Sequence, residues 1–438
     1  MSFCLRRGFP VLILLAAIFV VGCEAESRPT PRATWTPKPS ATPEPTETAT
    51  PISTHTPIPS STPRTAAQLN LRPGAASDIN PAPQPGGARD PLIPVLGPFP
   101  PVAIPARPAN INPLTGTSAS AAALQRRPIV VRIGNDTRVY QNLWHSGLYT
   151  ADIVFEELID SLGTQYATTR YSAIYLSNDP PLIGPVRSGR IINLQIAPML
   201  DGALSHAGGS DGTRWIFSQT PLVNLDEAFN RPAYCYEEQT RGYQGRLYTT
   251  GARLREWLAQ KGWEKAVPLY GFNFSTNVPS GQSVTMITAS KLPVASLLTY
   301  QWKYDSPSGS YLRYINGSPH IDSSYSVTAK WGNSANCVKN GTTTQSHIRA
   351  QNIIALYARH EKTNITEDTN NAVSVYIPLV GQGDAIFFRD GQMVRGKWQR
   401  KSEQEFFNFT DSAGIPYALK PGNTWFEILP IGYALELK

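Results

Sequence analysis

The chain has 438 residues, 39 of them proline, and a net charge of +7. This length suggests two or three domains. The charge is modest and forms no long basic run, which excludes the electrostatic footprint of a nucleic-acid-binding protein. The cysteines and histidines have no zinc-like spacing, so we expect no metal and no cofactor.

Residues 1–22 have the pattern of a secretory signal peptide. Arg6 and Arg7 precede an apolar run at residues 11–21, which is too short to span a bilayer. The run ends in Val-Val-Gly-Cys at residues 20–23, which resembles the lipobox of bacterial lipoproteins. In those proteins the cysteine becomes the mature N-terminus and carries palmitate-type acyl chains. Two acyl chains anchor a protein stably in the membrane, whereas a single acyl chain binds reversibly. We therefore expect Cys23 to anchor the protein to the extracytoplasmic face of the cell membrane; the alternative is an ordinary signal peptide followed by an unmodified cysteine.

Residues 23–110 are predicted to form a disordered, lipid-anchored stalk. Thr-Pro and Ser-Thr-Pro runs fill this stretch, and large apolar residues are few. Such a segment buries too little apolar surface to offset the conformational entropy that folding would remove. The stalk is therefore expected to hold a folded head away from the membrane.

The folded part is predicted to be of the α+β class, and it begins with a mixed αβ domain over residues 111–275. Its strands are predicted from β-rich runs that end at turn residues, at 127–133, 152–158, 171–176 and 203–206. Gly184-Pro185 is predicted to open a helix that continues to Pro198, because proline is tolerated at the first helical position. Apolar side chains at helical spacing predict a second helix over residues 251–260.

The second domain, residues 276–438, is predicted to be β-rich and built from hairpins. Asn316-Gly317 and Asp390-Gly391 each lie between strand-like runs, and these dipeptides favour the positive φ angles of a type I′ turn. A further strand is predicted near residues 424–429. Residues 351–359 fit either a helix or a strand.

Two cysteines remain after the signal peptide and the lipidated Cys23 are set aside. An exported protein meets an oxidising compartment, so Cys235 and Cys337 are candidates for a disulfide. Both lie in irregular, polar stretches. The sequence leaves pairing and two free thiols as equal alternatives.

Motifs in both halves of the folded chain carry a family likeness. They lie at residues 152–156, 183–190, 206–209, 304–313, 316–322, 396–398 and 421–425. Together they resemble the YerB-like lipoproteins, a bacterial two-domain family of unknown function, over roughly residues 112–430. The resemblance implies a membrane-anchored envelope protein and supplies no activity. The chain departs from the family at residues 244–248, where Gln-Gly-Arg-Leu-Tyr replaces Pro-His-Asn-Leu-Tyr, and at a polar insertion over residues 331–344.

A candidate ligand site includes the arginines of residues 183–190. Arg187 and Arg190 are three residues apart, hence on one face of the predicted helix and near its N-terminus, where an anion is favoured. The guanidinium group suits a carboxylate or a phosphate. The alternative is that these arginines pair with Asp152, Glu156 or Glu157 across the interior of the domain. The full candidate set is Asp152, Glu156, Arg170, Arg187, Ser188, Arg190 and His206, with Glu157 as a further partner and Ser188 also fitting a local cap.

His206 follows a predicted strand and precedes Gly208-Gly209. In open α/β sheets ligands bind beyond the carboxyl ends of the strands, so His206 is a candidate ligand contact or acid–base group. The alternative is a buried structural histidine. Glu156 and Glu157 are neighbours on a strand and are predicted not to face inward together, which leaves a glycosidase-like carboxylate pair unsupported.

A second polar patch is predicted in the hairpin centred on Asn316-Gly317. Its register pairs Arg313 with His320 and Tyr311 with Asp322, so that these four side chains share one face. Leu312, Tyr314 and Ile321 are then expected to point into the core. The patch fits a solvated outer face or a binding surface.

We expect from these features a non-enzymatic envelope lipoprotein that binds an anionic or cell-wall-derived ligand, or a partner protein, at the end of its tether. No nucleophile with an ordered base can be assigned. The alternative is a cell-envelope hydrolase or transferase that uses His206 with an acidic partner, and a third possibility is a scaffold in an envelope complex.

Overall fold

The structure, a computed structural model, describes residues 107–218, 220, 222–290, 298–332 and 335–438. The predicted signal peptide, the lipidation of Cys23 and the stalk up to residue 106 lie outside the described residues. Within the described ranges, no helix combines the length and the apolar content needed to cross a membrane.

The helices are short and lie in the first half of the described chain. The α-helices are α1 (Ala121–Leu124), α2 (Thr137–Gln141), α3 (Asn193–Ile196), α4 (Asp211–Ser218), α5 (Glu227–Asn230), α6 (Gly242–Gly245) and α7 (Gly251–Gln260). Single 3-10 turns lie at Leu148–Thr150, Pro198–Leu200, Arg231–Ala233 and Gln239–Arg241.

Strands dominate the remainder. The first half contains β1 (Ile129–Gly134), β2 (Ile153–Asp160), β3 (Thr168–Tyr175), β4 (Ala203–His206), β5 (Val223–Asp226), β6 (Cys235–Tyr236) and β7 (Leu247–Tyr248). The second half contains β8 (Gln282–Ser283), β9 (Met286–Ala289), β10 (Tyr300–Asp305), β11 (Ser310–Ile315), β12 (Ser318–Pro319), β13 (Ile321–Thr328), β14 (Val338–His347), β15 (Arg349–Ala350), β16 (Asn352–Ala358), β17 (Glu361–Thr366), β18 (Val373–Tyr376), β19 (Gly381–Arg389), β20 (Gln392–Arg400), β21 (Asn408–Asp411), β22 (Thr424–Pro430) and β23 (Glu436–Leu437).

One large mixed sheet takes strands from both halves of the chain. Its main path runs β21-β20-β19-β16-β22-β2-β3-β1-β4-β5. β1, β4 and β5 are parallel to one another, whereas β2 and β1 are antiparallel to β3. β22 lies parallel to both β2 and β16 and so joins the two halves. The α+β class is confirmed, and the boundary at residue 275 stays a prediction.

The large sheet is covered on both faces, which explains the burial of β2. Phe155 belongs to one core cluster and stacks on Phe426, with ring centroids 4.3 Å apart. Val154 points the other way, into the second core cluster. For the same reason Glu156 and Glu157 are both buried, on opposite faces. The two side chains point to opposite faces, as the alternation along a strand predicts, but both faces of this sheet are covered and so both carboxylates are buried.

A smaller sheet in the second half has the order β12-β11-β10-β9-β23. Both predicted hairpins are confirmed: Ile315 pairs with Ser318 around Asn316-Gly317, and β19 meets β20 around Asp390-Gly391. All four turn residues have positive φ, between 50° and 78°. The ambiguous segment at residues 351–359 forms the strand β16.

The helix predicted from Gly184 to Pro198 was wrong over its first half. Residues 184–190 are extended, and the helix α3 has four residues. The backbone of the extended segment bonds to distant strands and loops rather than to itself. Gly184 and Ser146 exchange backbone hydrogen bonds, Val186 N–H donates to Leu247, and Arg187 N–H donates to Arg132. These partners satisfy the groups that a helix would have paired internally.

Cys235 and Cys337 form a disulfide, which decides between the two alternatives. It links β6 to the residue just before β14. β13 and β14 form a separate two-stranded hairpin, and β14 is exposed along most of its length. The helix α7 is confirmed over residues 251–260, and the Thr250 side chain caps it by accepting a hydrogen bond from Arg253 N–H at 3.0 Å.

Candidate functional site

Four arginines form the candidate site, and we call them the arginine cluster. Arg132, Arg170, Arg187 and Arg190 are 0%, 7%, 8% and 5% exposed. Arg132 and Arg170 share one face of the adjacent strands β1 and β3, and the segment that carries Arg187 and Arg190 is hydrogen-bonded to both residues. Side chains as polar as these are rarely buried without a reason in pairing or ligand binding.

The parallel strands position the cluster. Because β1, β4 and β5 run in the same direction, their carboxyl ends at Gly134, His206 and Asp226 meet at one edge. The extended segment of residues 187–190 crosses this edge: Arg187 N–H donates to Arg132 O at 2.8 Å, and Gly189 N–H donates to Gly208 O at 2.9 Å. The arginine cluster therefore lies where open α/β sheets bind their ligands.

Carboxylates accompany part of the cluster. Arg132 forms an ion pair with Glu157 in the interior, and its Nη1 also donates to Ser172 at 2.8 Å. Arg190 lies 3.3 Å from Asp160 and 3.4 Å from Glu367. Arg187 and Arg190 thus do pair with carboxylates of the protein, but the partners are Asp136, Asp160 and Glu367 and not the predicted Asp152, Glu156 or Glu157.

Arg170 and Arg187 bind mainly to backbone oxygens. Arg170 Nη1 donates to Ser188 O at 2.9 Å, and Arg187 Nη1 donates to Tyr243 O at 3.1 Å. The Arg187 guanidinium also lies 4.9 Å from the centre of the exposed Tyr243 ring and 3.6 Å from Asp136. Ser188 thus contributes its carbonyl to the site.

Several donors of the cluster have no hydrogen-bond partner within the described part of the chain, although they are buried. These atoms are Nε and Nη2 of Arg132, Nε of Arg187 and Nε of Arg190. Burial lowers the pKa of Arg132 and Arg170 well below the usual range, and the neighbouring arginine charges lower it further. Three buried carboxylates, of Glu157, Asp160 and Glu367, and the partly exposed Asp136 accompany the four guanidinium groups, so the buried part of the site holds one more positive than negative group.

His206 lies beside the cluster with both ring nitrogens occupied. Nδ1 is 2.7 Å from Gly208 O, and Nε2 is 2.6 Å from Asn224 Oδ1. Burial lowers the pKa of His206, and the nearby Asp226 carboxylate opposes this effect. Gly189 packs closely against the ring. This is the arrangement of a structural histidine, which was one of the two alternatives.

Asp152 does not join the arginine cluster. Its carboxylate accepts hydrogen bonds from Leu176 N–H at 2.6 Å and Ser177 N–H at 3.3 Å, and it binds the side chain of Asn112. Burial raises the pKa of Asp152 to about 6. Asp152 therefore fixes the end of β3, and the expectation that it helps to form an anion site with Arg187 was wrong.

Glu156 lies on the opposite face of the sheet from the cluster. It pairs with Arg313 at 2.6 Å and accepts a hydrogen bond from Thr169 at 2.8 Å. Burial raises the pKa of Glu156 to about 8; the positive charge of Arg313 lowers this pKa, and the negative charge of Glu427 raises it. The sequence analysis grouped Glu156 with the arginines, but it is the neighbouring residue, Glu157, that faces the cluster and pairs with Arg132. Successive residues of a strand point to opposite faces.

The second polar patch is buried rather than exposed. Tyr311, Arg313, His320 and Asp322 are at most 3% exposed, whereas the predicted core residues Leu312, Tyr314 and Ile321 are partly exposed. Tyr311 pairs with Ala350 rather than with Asp322. The predicted orientation was wrong, because the pairing of Arg313 with carboxylates on other strands draws this face inward.

The side chains of the second polar patch contact residues that the sequence analysis did not single out. Arg313 binds Glu427 at 3.0 Å as well as Glu156. His320 and His145 share a hydrogen bond of 2.8 Å, and Asp322 accepts Tyr149 N–H at 2.9 Å. No local pattern marked these partners, since each lies more than 100 residues from its contact in the patch.

Two family models match the chain. Residues 114–264 match the N-terminal domain, and residues 291–426 the C-terminal domain, of "Protein of unknown function (DUF3048)". The chain is also 24% identical to a Bacillus subtilis protein, "Putative lipoprotein YerB", over 322 residues that cover 73% of this chain and 86% of the relative. The chain belongs to the YerB-like two-domain family.

The fold agrees with this assignment. The crystal structure of the YerB protein from Bacillus subtilis superposes on this YerB-like chain with a TM-score of 0.58 at 22% identity. The match covers 75% of this chain and 99% of the crystallised one. In the YerB-like protein described here, the arginine cluster falls within the N-terminal match, and its partner Glu367 falls within the C-terminal match.

The described residues also bear on metal binding. Across the described ranges, no three side chains of histidine, cysteine, aspartate or glutamate come together in a group able to hold a metal ion.

Proposed function

We propose that this YerB-like protein is an extracytoplasmic lipoprotein, anchored to the membrane through Cys23, whose head binds a small anionic ligand at the arginine cluster without catalysis. The observation that carries the proposal is the set of buried guanidinium N–H groups without hydrogen-bond partners in the described residues, on Arg132, Arg187 and Arg190. A ligand oxyanion would satisfy them.

The charges at the site support this function. Four guanidinium groups face three carboxylates with little or no solvent exposure, those of Glu157, Asp160 and Glu367, and a fourth, Asp136, whose side chain is 35% exposed to solvent. A buried charge without a partner costs several kcal/mol. An anion that binds there would balance the buried positive charge, and it would accept hydrogen bonds from guanidinium N–H groups, which suit a carboxylate or a phosphate.

The proposal of a lipid anchor is supported by the sequence and by the Bacillus subtilis relative. Residues 20–23 resemble a lipobox, and the similar Bacillus subtilis protein is named as a lipoprotein. Such an anchor would place the arginine cluster outside the cytoplasm, so that the ligand would be an anion of the cell envelope or of the medium.

The geometry favours binding over the enzymatic alternative. A general base needs a free ring nitrogen within reach of the proton that it accepts. Both ring nitrogens of His206 already face acceptors at 2.6 and 2.7 Å, and the described hydrogen bonds of Asp152 and Glu156 go to other residues.

The test is calorimetric titration of the full chain in detergent at low ionic strength, with inorganic phosphate and with citrate. Arg187→Gln removes one guanidinium group and is expected to weaken binding by about tenfold or more, the effect of one charged hydrogen bond. Arg395→Gln is the matched control, because Arg395 is an exposed arginine on β20, far along the sheet.

Binding that falls with added salt and with Arg187→Gln, but not with Arg395→Gln, would support the proposal. Thermal unfolding of each variant would establish that it is folded. Equal affinity of Arg187→Gln and the unaltered chain, or no heat with either anion, would overturn the proposal.

A further inference from the structure

A second concave surface lies apart from the arginine cluster, and we call it the hairpin cleft. Its volume is about 830 Å³, within the range of small-molecule sites, about 300–1,000 Å³. One wall is formed by the loop after α2 and by residues 236–241; the other is formed by one face of the β13–β14 hairpin. The anion proposal assigns no role to this cleft.

The first wall is aromatic. Trp144, Tyr236 and Tyr248 line it. Trp144 and Tyr236 are partly exposed, whereas Tyr248 is 1% exposed. The guanidinium groups of Arg241 and Arg246 lie 5.4 Å and 5.9 Å from the Trp144 and Tyr236 ring centres, so the cleft reaches the remaining surface of these two rings. Aromatic side chains offer large, rigid contact surfaces at a low cost in conformational entropy.

The opposite wall carries hydroxyl and amide groups. Ser323, Thr343 and Gln345 line it from the two strands of the hairpin, together with Tyr325. Ser323 and Gln345 are cross-strand partners, so their side chains stand side by side. Such groups both donate and accept hydrogen bonds, and they are uncharged.

The charges in the cleft balance one another. Glu237 and Glu238 are matched by Arg241 and Lys339. Arg241 is 3.2 Å from Glu237, and its guanidinium lies 5.4 Å from the centre of the Trp144 ring. The cleft therefore lacks the excess positive charge of the arginine cluster, and a strongly charged ligand would gain little there.

A disulfide joins the two walls. Cys337 lines the cleft beside β14, and its partner Cys235 belongs to β6, from which the aromatic wall continues. Leu182 and Tyr248, which line the cleft, pack with Cys235 in a small apolar cluster. The covalent link holds the cleft in shape, which reduces the entropy that a ligand must overcome on binding.

We propose that the hairpin cleft binds a neutral oligosaccharide segment. A pyranose ring has an apolar face of C–H groups and a rim of hydroxyls. The aromatic wall matches the face, the hydroxyl and amide wall matches the rim, and the balanced charge matches a neutral chain. The proposal does not rest on the anion function.

The probes are triacetylchitotriose and maltotriose, which are neutral trisaccharides of different sugars, and a neutral pentapeptide. The full chain in detergent is titrated with each by calorimetry. Thr343→Trp fills the cleft with a bulky side chain, whereas Thr344→Trp is the matched control, since successive residues of a strand point to opposite faces. Both threonines are exposed, so both variants are expected to fold.

The expected result is binding of at least one trisaccharide, weakened at least tenfold by Thr343→Trp and unchanged by Thr344→Trp. The Arg187→Gln variant is expected to bind the trisaccharide as the unaltered chain does, which separates the two proposals. The inference is overturned if neither trisaccharide binds, if both threonine variants bind equally well, or if the pentapeptide binds in place of the sugars.

Discussion

Arg313 and Glu156 form a buried ion pair, 2.6 Å long, that connects the two family-matched halves of the protein. Glu427 lies 3.0 Å from the same guanidinium and also accepts the indole N–H of Trp302. The guanidinium is surrounded by four aromatic rings, with centres 4.7 to 5.9 Å away, from Tyr171, Tyr300, Trp302 and Trp425. Burial alone would lower the pKa of Arg313, but Glu156 and the other acidic neighbours raise it overall, so the group stays charged.

Replacing Arg313 by methionine is expected to destabilise the protein by about 3–5 kcal/mol, because two buried carboxylates lose their common partner. The free energy of unfolding, measured by urea denaturation, provides the test. Arg395→Met removes an exposed arginine and is expected to change stability by less than about 0.5 kcal/mol. Equal unfolding midpoints for the two variants would contradict this role of Arg313.

The disulfide between Cys235 and Cys337 spans 102 residues of sequence. A cross-link over a loop of this length restricts the unfolded chain, and its removal is expected to cost about 2–5 kcal/mol. The measurement is urea denaturation with and without dithiothreitol. Reductant is expected to lower the midpoint of the unaltered chain and to leave that of the Cys235→Ala, Cys337→Ala double variant unchanged. A midpoint of the unaltered chain that is insensitive to full reduction would rule out this contribution.

Asp322 predicts a dependence of stability on pH. Burial raises its pKa to about 7, although it accepts backbone hydrogen bonds from Tyr149 and its neighbours. In the unfolded chain an aspartate titrates near pH 4, so between about pH 4 and pH 7 the folded state holds a proton that the unfolded state has released. The contribution of this proton to stability is complete below pH 4 and is lost as the pH rises through 7.

The variant Asp322→Asn cannot titrate at this position, so its pH profile isolates the effect. The unaltered chain is expected to lose stability relative to the variant as the pH rises from 4 to 8, whatever the difference between them at pH 4. Other groups with shifted pKa values, such as His145 and Asp152, are present in both proteins and cancel in the comparison. Parallel profiles in urea titrations across this range would show that Asp322 does not titrate as described.

Local sequence signals predicted the elements whose backbone bonds are local. The two type I′ hairpins and the helix α7 each depend on residues within a few positions, and all three are confirmed. Residues 184–190 failed as a helix because their hydrogen bonds go to Ser146, Leu247 and Arg132, which no short window of sequence contains. Tertiary partners overrode the local preference there.

The candidate site shows the same limit. Arg170, Arg187, Ser188, Arg190 and His206 were predicted together and do lie together. Arg132 was missed because it is the one charged residue in an apolar strand, and Glu367 because it approaches from the second half of the chain. The face assigned to Arg313 was inverted, since its carboxylate partners lie 157 and 114 residues away.

Gly189 lies between Arg187 and Arg190, and its lack of a side chain is expected to matter for both stability and anion binding. A Cβ atom at this position would stand 2.7 Å from the ring of Phe217 and 3.1 Å from Nδ1 of His206. Both neighbours are buried aromatic rings that cannot move freely, so Gly189→Ala is expected to cost about 1–3 kcal/mol by overpacking. The displaced backbone would also shift the two arginines and weaken the binding of inorganic phosphate.

The matched control is Gly209→Ala, in the same loop region, where a Cβ atom would meet its nearest neighbour, Thr213, at an ordinary distance of 3.4 Å. The free energy of unfolding of this variant is expected to lie within about 1 kcal/mol of that of the unaltered chain. Its affinity for phosphate is expected to be unchanged. Urea denaturation measures the first quantity and calorimetric titration the second. If Gly189→Ala behaved like Gly209→Ala in both measurements, the close packing of residues 187–190 against His206 and Phe217 would not be what holds the arginine cluster in place.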